Sequence, residues 1–408
     1  MEIRSVTLFS DPALPCAAAH SFFEDARQTF SVPVQSARVA LPPFPEWWPG
    51  HEGAVAYATA LAHHWGEAGA DYLSVGPVQL RHDEGWLAML PEILGVADMI
   101  FASAEVADQS GRIDLSRAAA VARVIQAAST KQPDGFGNLY FTALANCPPG
   151  SPFFPVAYHD GGSPGFALAA QAADLALAAV IGAATLEEAR RRLVKTIEEE
   201  AERLGEAARR LEEAHALTYR GIDFSLAPFP DPKNSLGAAL EALGIPAVGA
   251  AGSLFAAAFV TEAIDRARFP RCGFSGLMLP VLEDGVLAAR AADGTLSVGD
   301  LLTYAAVCGV GLDTIPLPGA ISVESLTAIL LDVAALAVRL NKPLTARLMP
   351  LPGLETGDPV TFDFPYFADS RVMNVAGDGL SGLLARGATI SLRTLRDPSP
   401  PLSAADTG

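Results

Sequence analysis

The stretch "CGVGLDTIPLPG", residues 308–319, decides how this chain is read. It follows an apolar helical run and precedes another, and "DTIPLP" (313–318) within it has the alternation of a strand. A strand between two helices is one link of a βα repeat. The strand reading puts Asp313 at its first position, facing the same way as Ile315 and Leu317. That carboxylate is either carried into a site or is part of a turn. The N-terminal end of a barrel strand more often holds structural residues than catalytic ones.

Working outward, the same pattern recurs. Strand candidates are "SVTLF" near the start, "DYLSVG" (71–76), "MIFASAEV" (99–106), "LYFTALA" (139–145), "FPVAYH" (154–159), "IDFSLAP" (222–228), "GLMLPV" (276–281), "TARLMPL" (345–351) and "RVMNV" (371–375). Apolar stretches at helical spacing lie between most of them. Such alternation predicts an α/β fold of parallel strands joined by crossover helices. The count is high for an open sheet, so a closed or nearly closed α/β barrel is expected. Residues 166–185 and 326–340 read as buried helices. Gln171 and Asp174 in the first, and Asp332 and Arg339 in the second, argue against membrane spans. Residues 185–217 predict a long charged helix joining two halves. It opens on a capping box, Thr185 to Glu188, and carries i,i+4 pairs such as Glu188 with Arg192. One large domain over 1–396 and a disordered tail over 397–408 follow. "VPVQSARVALPPFPEWWPGHEG" (32–53) reads as containing a Pro- and Trp-rich loop over a pocket.

The 408 residues are 50% hydrophobic and 18% charged, with a formal charge of −18. That balance argues against a general binder of nucleic acid or anionic membrane, and favours a small-molecule ligand. Cys16, Cys147, Cys272 and Cys308 are far apart and form no CxxC pair. The first residues lack a long apolar signal core. A cytoplasmic protein with free thiols is the simpler expectation.

The chemistry-bearing segments are few. In "YHDGGSPG" (158–165), His159 ends a predicted strand, and Gly161 and Gly162 open a loop before a predicted helix, a place where free N–H groups hold anions. His159 is a candidate acid, base or metal ligand; the plain alternative is a hydrogen-bonded loop histidine. "GIDFSLAP" puts Asp223 and Ser225 on one strand face, as a site or as a core pair. "FPRCGFSGLMLPVLED" (269–284) carries Ser275. "NKPLTARLMPLPG" (341–353) carries Lys342 and, inside a strand pattern, Arg347. A strand arginine is costly unless paired, and Asp223, Asp313 or a bound anion are the expected partners. There is no Walker A sequence, GxGxxG after a strand, HExxH or GxSxG.

With these segments in place, the chain resembles the family known as domain of unknown function 711, or uncharacterised protein family 0210. "GIDFSLAP", "FSGLMLPVLED", "CGVGLDTIPLPG" and "NKPLTARLMPLPG" carry the resemblance, and it runs from "IRSVTLF" to about residue 375. It implies a ten-stranded barrel of two antiparallel halves, like that of the pyruvate formate-lyase-like glycyl-radical enzymes, and it implies no particular reaction. The chain reads as a divergent member: Ser163 and Val333 stand where the family has glutamates, and "FDFPYFADS" (362–370) replaces a glycine-rich stretch. Asn374 stands where a radical glycine is needed, so Cys308 is not expected to work as a radical thiol.

The functional expectation is a non-radical enzyme for a small carboxylate or phosphate metabolite. His159, Asp223, Asp313 and Cys308 are its candidate catalytic residues, and Ser225, Lys342, Arg347, Gly161, Gly162 and Ser275 bind substrate. A divalent metal on Asp223 and Asp313 and a homodimer stay open. The alternative is a binding or structural protein that kept the fold and lost the chemistry.

Overall fold

In the computed structural model, residues 1–377 and 379–395 are described; the tail placed at 397–408 lies outside them. The strands are β1 (Glu2–Phe9), β2 (Ala37–Ala40), β3 (Tyr72–Val78), β4 (Ile100–Ala107), β5 (Arg112–Asp114), β6 (Phe141–Ala145), β7 (Gly165–Gln171), β8 (Thr218–Ala227), β9 (Gly311–Pro318), β10 (Leu344–Leu351), β11 (Pro359–Val360), β12 (Ser370–Arg371) and β13 (Thr389–Ser391). The helices are α1 (Cys16–Thr29), α2 (Ala54–Glu67), α3 (Leu90–Leu94), α4 (Leu115–Ser129), α5 (Ala173–Ile181), α6 (Leu186–His215), α7 (Leu236–Ala242), α8 (Ser253–Arg266), α9 (Gly285–Ala292), α10 (Val298–Ala305) and α11 (Val323–Leu340).

The main sheet has the order β8-β7-β1-β2-β3-β4-β6-β10-β9. β1, β2, β3, β4 and β6 run parallel. β7 and β10 pair antiparallel to β1 and β6, and β8 and β9 are their parallel neighbours. The five central strands form one half and the four outer strands, two at each edge, the other; the two run in opposite directions, so the N-terminal ends of one sit beside the C-terminal ends of the other.

The sheet is open, which corrects the expected closed barrel: its path ends at β8 and β9. Residues 276–281, read as a strand, lie between these ends but form no ladder. Pro280 has no N–H to donate. Gly276 and Gly309 pass backbone against backbone, so that a Cβ on Gly276 would lie 2.5 Å from Gly309 Cα. The segment makes single bonds instead: Met278 N–H to Ser225 O at 3.1 Å, Val281 N–H to Asp313 O at 3.0 Å, and Gly309 N–H to Leu277 O at 3.0 Å. Gly276→Ala is therefore expected to lower stability by about 1–3 kcal/mol, through backbone displacement. An unchanged urea midpoint would show that the close approach is not needed.

Three other segments depart from the sequence reading. Residues 166–185 are not one helix: β7 and α5 divide them. β7 is alanine-rich and buried at every position, so it shows no alternation to read. "FPVAYH" is no strand but a loop crossing one face of the sheet. Hydroxyls on the sheet take up its carbonyls: Thr7 Oγ1 and Ser5 Oγ donate to Pro152 O, and Ser74 Oγ donates to Ala157 O at 2.6 Å. Of "RVMNV" (371–375), only Arg371 lies in a strand, β12, which pairs with β11.

α6 has the expected charge pattern with local changes. Thr185 Oγ1 accepts from Glu188 N–H at 3.2 Å, while Glu188 accepts from Ala184 N–H, one residue before the expected partner. Glu188 pairs with Arg192 at 2.6 Å, whereas Arg190 and Arg203 take i,i+3 partners, Glu187 and Glu200. The helix is the crossover between the parallel neighbours β7 and β8. No described helix is long and apolar enough to cross a membrane.

Candidate functional site

Where the N-terminal ends of β1 to β4 meet β9 and β10, a cavity of about 170 Å³ opens. β1 supplies Arg4, β2 Arg38, β3 Tyr72 and β4 Phe101; β9 supplies Asp313 and β10 Arg347. Glu283 follows the 276–281 segment, and Phe153 and Phe154 come from the crossing loop.

A β-bulge sets Asp313 in place. Between paired positions β9 advances from Leu312 to Ile315, while β10 advances only from Ala346 to Leu348. Asp313 and Thr314 thus stand together opposite Arg347, and the alternation assumed from the sequence does not carry across them. Thr314 takes φ +47°, rare for a β-branched residue. Its hydroxyl oxygen accepts from Leu282 N–H at 3.2 Å, which ties the bulge to the segment carrying Glu283.

The charges form a chain. Arg347 Nε donates to Asp313 Oδ1 at 2.5 Å, and its Nη2 donates to Glu283 Oε1 at 2.7 Å. Arg4 Nη2 donates to Glu283 Oε2 at 2.6 Å. Burial pulls the Arg347 pKa down, but Asp313 and Glu283 outweigh it and hold the guanidinium above its ordinary value. Arg347 is thus charged and paired on both sides.

Arg38 is different. It is only 8% exposed. Among the described residues it donates one hydrogen bond, Nε to Ser36 Oγ at 2.8 Å, and meets no carboxylate at ion-pair distance. Its guanidinium lies over the rings of Tyr72 and Phe154, at 5.4 and 5.2 Å. Burial, and then repulsion from Arg4, lower its pKa to about 10, so it stays charged at neutral pH. The lining holds three arginines, Arg4, Arg38 and Arg347, and three acids, Glu283, Asp313 and Asp71; because Arg27 pairs with Asp71 from outside the lining, one positive charge is left in excess. Asp71, also in the lining, is engaged by Ala37 N–H at 2.7 Å and Arg27 at 3.2 Å.

Of the residues singled out from the sequence, the structure brings Asp313 and Arg347 together here. It places the others elsewhere. Asp223 is fully buried and accepts from Ser225 Oγ at 2.5 Å, Phe274 N–H at 2.7 Å and Ser275 N–H at 2.8 Å. Burial pushes its pKa up to about 6 against those bonds. Asp223, Ser225 and Ser275 thus tie the 272–276 turn to β8, in a set separate from Asp313. Lys342 Nζ donates to Ala305 O at 2.9 Å and to Cys308 O, capping the C-terminal end of α10. Burial raises the pKa of the Cys308 thiol, which keeps it protonated and inert. His159 N–H donates to Leu41 O, past the C-terminal end of β2 and so at the other end of the strands from Arg38. Its ring faces Gly162 O and Asp160 Oδ1, each at 3.1 Å, and burial and Arg220 lower its pKa. Gly161 and Gly162 belong to that loop, whose Asp160 accepts from Gly162 N–H at 3.0 Å.

The sequence reading passed over Arg4, Arg38 and Glu283. The signal that marked Arg347, a charge inside a strand pattern, is also present in "EIRSVTLF" and "ARVA". A larger cleft of about 670 Å³, lined in part by Asn374 and Gly377, offers no such group, because its Asp293, Asp332 and Arg371 are exposed. Among the described residues no three potential metal ligands cluster.

Glu105, buried on β4, is pushed up to about 7 by desolvation, against bonds from Leu80 N–H and the Gln79 amide. Unfolded, it titrates near 4.5. Between those values the folded chain holds the extra proton, so stability falls as pH rises through the window. Glu105→Gln should remove on the order of 3 kcal/mol of that fall. Urea midpoints at pH 5 and 8 for both proteins measure it, and parallel losses in the two would contradict it.

An open α/β sheet with a cation-rich, aromatic-walled cavity at the meeting of its two halves is the class this chain defines. It belongs to the family described as Uncharacterised ACR (DUF711), whose family model matches residues 14–369. A UPF0210 protein of Pyrobaculum arsenaticum is 37% identical over 234 residues, covering 53% of this chain and 50% of the relative. The chain thus spans about half the length of that relative. One from Methanopyrus kandleri is 30% identical over 359 residues, 82% of this chain and 78% of the relative. One from Desulforudis audaxviator is 28% identical over 434 residues, 96% and 94% respectively.

Proposed function

We propose that the chain is a cytoplasmic protein that binds a small organic anion in the Arg4–Arg38–Arg347 cavity and acts on it without radical chemistry. The carrying observation is Arg38: a guanidinium that is buried, charged and without a carboxylate. Burying an unpaired charge is expensive, and a ligand carboxylate or phosphate offsets that cost. Asp313 and Glu283 line the cavity, and on this reading they are the groups that exchange a proton with the bound molecule. Both are held by arginines, and that engagement favours a second reading, binding without turnover. We also infer a kinship with the pyruvate formate-lyase-like barrels, with residues 276–281 occupying the seam in place of a regular strand. The two antiparallel halves support it, as do the bonds from that segment to β8 and β9.

Thermal shift against a panel of small carboxylates and phosphates tests the anion reading. At 100 times its Kd, a true ligand stabilises by about 2.7 kcal/mol. No response to any anion at millimolar concentration would contradict it. Incubating the responding anion with the protein then separates turnover from binding.

A further inference from the structure

The aromatic lining of the cavity narrows the ligand class, and this step rests on the anion reading above. Phe364 and Tyr366 reach the cavity from a loop, residues 361–369, whose base is the antiparallel pair β11–β12. Its exposure alternates: Phe362, Phe364 and Tyr366 are half-buried, while Asp363 and Pro365 are exposed. The loop is held in place by packing. Phe136 lies 5.6 Å from Phe362 and 5.0 Å from Phe364, and Ala368 N–H donates to Leu282 O at 2.7 Å, next to Glu283. Tyr366 is 5.3 Å from Phe364, and Arg4 lies 4.9 Å from its ring centroid. Phe154 and Tyr72 flank Arg38, and Phe101 packs against both at 5.2 Å. The cavity therefore combines arginine charge with two aromatic groups, Phe364 and Tyr366 near Arg4, and Tyr72, Phe101 and Phe154 near Arg38.

Volume and charge limit what fits. A space of about 150 Å³ takes one benzene ring, and this cavity has about 170 Å³. One excess positive charge matches a monoanion. A phosphate monoester carries roughly −1.5 to −2 at neutral pH and would leave negative charge uncompensated among the rings. We infer that the ligand is an aromatic or heteroaromatic monocarboxylate about one ring in size. Its carboxylate meets Arg38, and its ring packs against the walls that include Phe364 and Tyr366. The 361–369 loop then sets specificity for the ring, and Arg38 sets it for the charge.

Isothermal titration with benzoate, nicotinate, acetate and inorganic phosphate tests this on the wild-type chain and on Phe364→Ala, with Phe364→Leu as the milder variant should the first fail to fold. The expected result is that at least one ring acid binds tenfold or more tighter than acetate, and that phosphate does not displace it. Phe364→Ala, or Phe364→Leu to a smaller degree, weakens the ring acid and leaves acetate unchanged. Acetate or phosphate binding as tightly as the ring acids would overturn the ligand class while leaving the anion site standing. No binding of any of the four, with Arg38→Met indistinguishable from wild type, would overturn the anion site and this inference with it.

Discussion

Arg347→Met will destabilise the protein by about 3–5 kcal/mol, a large share of the stability of an ordinary domain. Arg347 is 6% exposed and is the shared partner of Asp313 and Glu283. Removing it leaves two buried carboxylates with only Arg4, on Glu283, to answer them. The loss should be larger at pH 8 than at pH 5, because protonation relieves an unpaired buried acid. Urea unfolding at the two pH values reads both effects. A loss below about 1 kcal/mol, the range of surface pairs, would mean that the network is solvated rather than buried.

Arg38→Met should behave in the opposite way. Arg38 is as buried as Arg347 but lacks a carboxylate, so its removal strands no partner. What is lost is its contact with Tyr72 and Phe154, worth about 0.5–2 kcal/mol, and its one hydrogen bond to Ser36 Oγ, which still donates to Arg4 O. Methionine restores part of this through sulfur–aromatic contact, about 0.3–1.5 kcal/mol, and the desolvation of a charge is relieved. Stability should stay within about 1 kcal/mol of wild type. Affinity for the anion should fall on the order of 100-fold, as when one partner of a buried charge pair is truncated. Arginines of similar burial thus divide by expected effect: losing Arg347 should cost stability, and losing Arg38 should cost affinity for the proposed anion.

Much of the architecture was legible because long helices and exposed-to-buried alternation leave periodic traces. The traces fail where both faces are buried. "GFALAAQ" is alanine-rich and wholly enclosed, so helix propensity outweighs any strand signal. "ARVA" is only four residues long and stands beside a proline- and tryptophan-rich loop that masks it. "FPVAYH" has strand-like residues, yet hydroxyls from three sheet positions bond its neighbourhood in place of a ladder. Closure failed for a local reason, at Pro280 and the Gly276–Gly309 contact. The site was legible at Arg347 and Asp313, where a charge interrupts a strand pattern. Asp223 and His159 looked equivalent in sequence, because chain order does not reveal which end of the sheet a residue occupies. Glu283 carries no periodic mark, and its role appears only once the segment after Pro280 is seen to pass beside β9.

The most direct test is the urea midpoint of Arg38→Met beside wild type, in buffer free of small organic anions. A guanidinium kept for a ligand predicts a midpoint that corresponds to within about 1 kcal/mol of wild type. A loss comparable to that of Arg347→Met would show Arg38 to be a structural tie and would contradict the anion site.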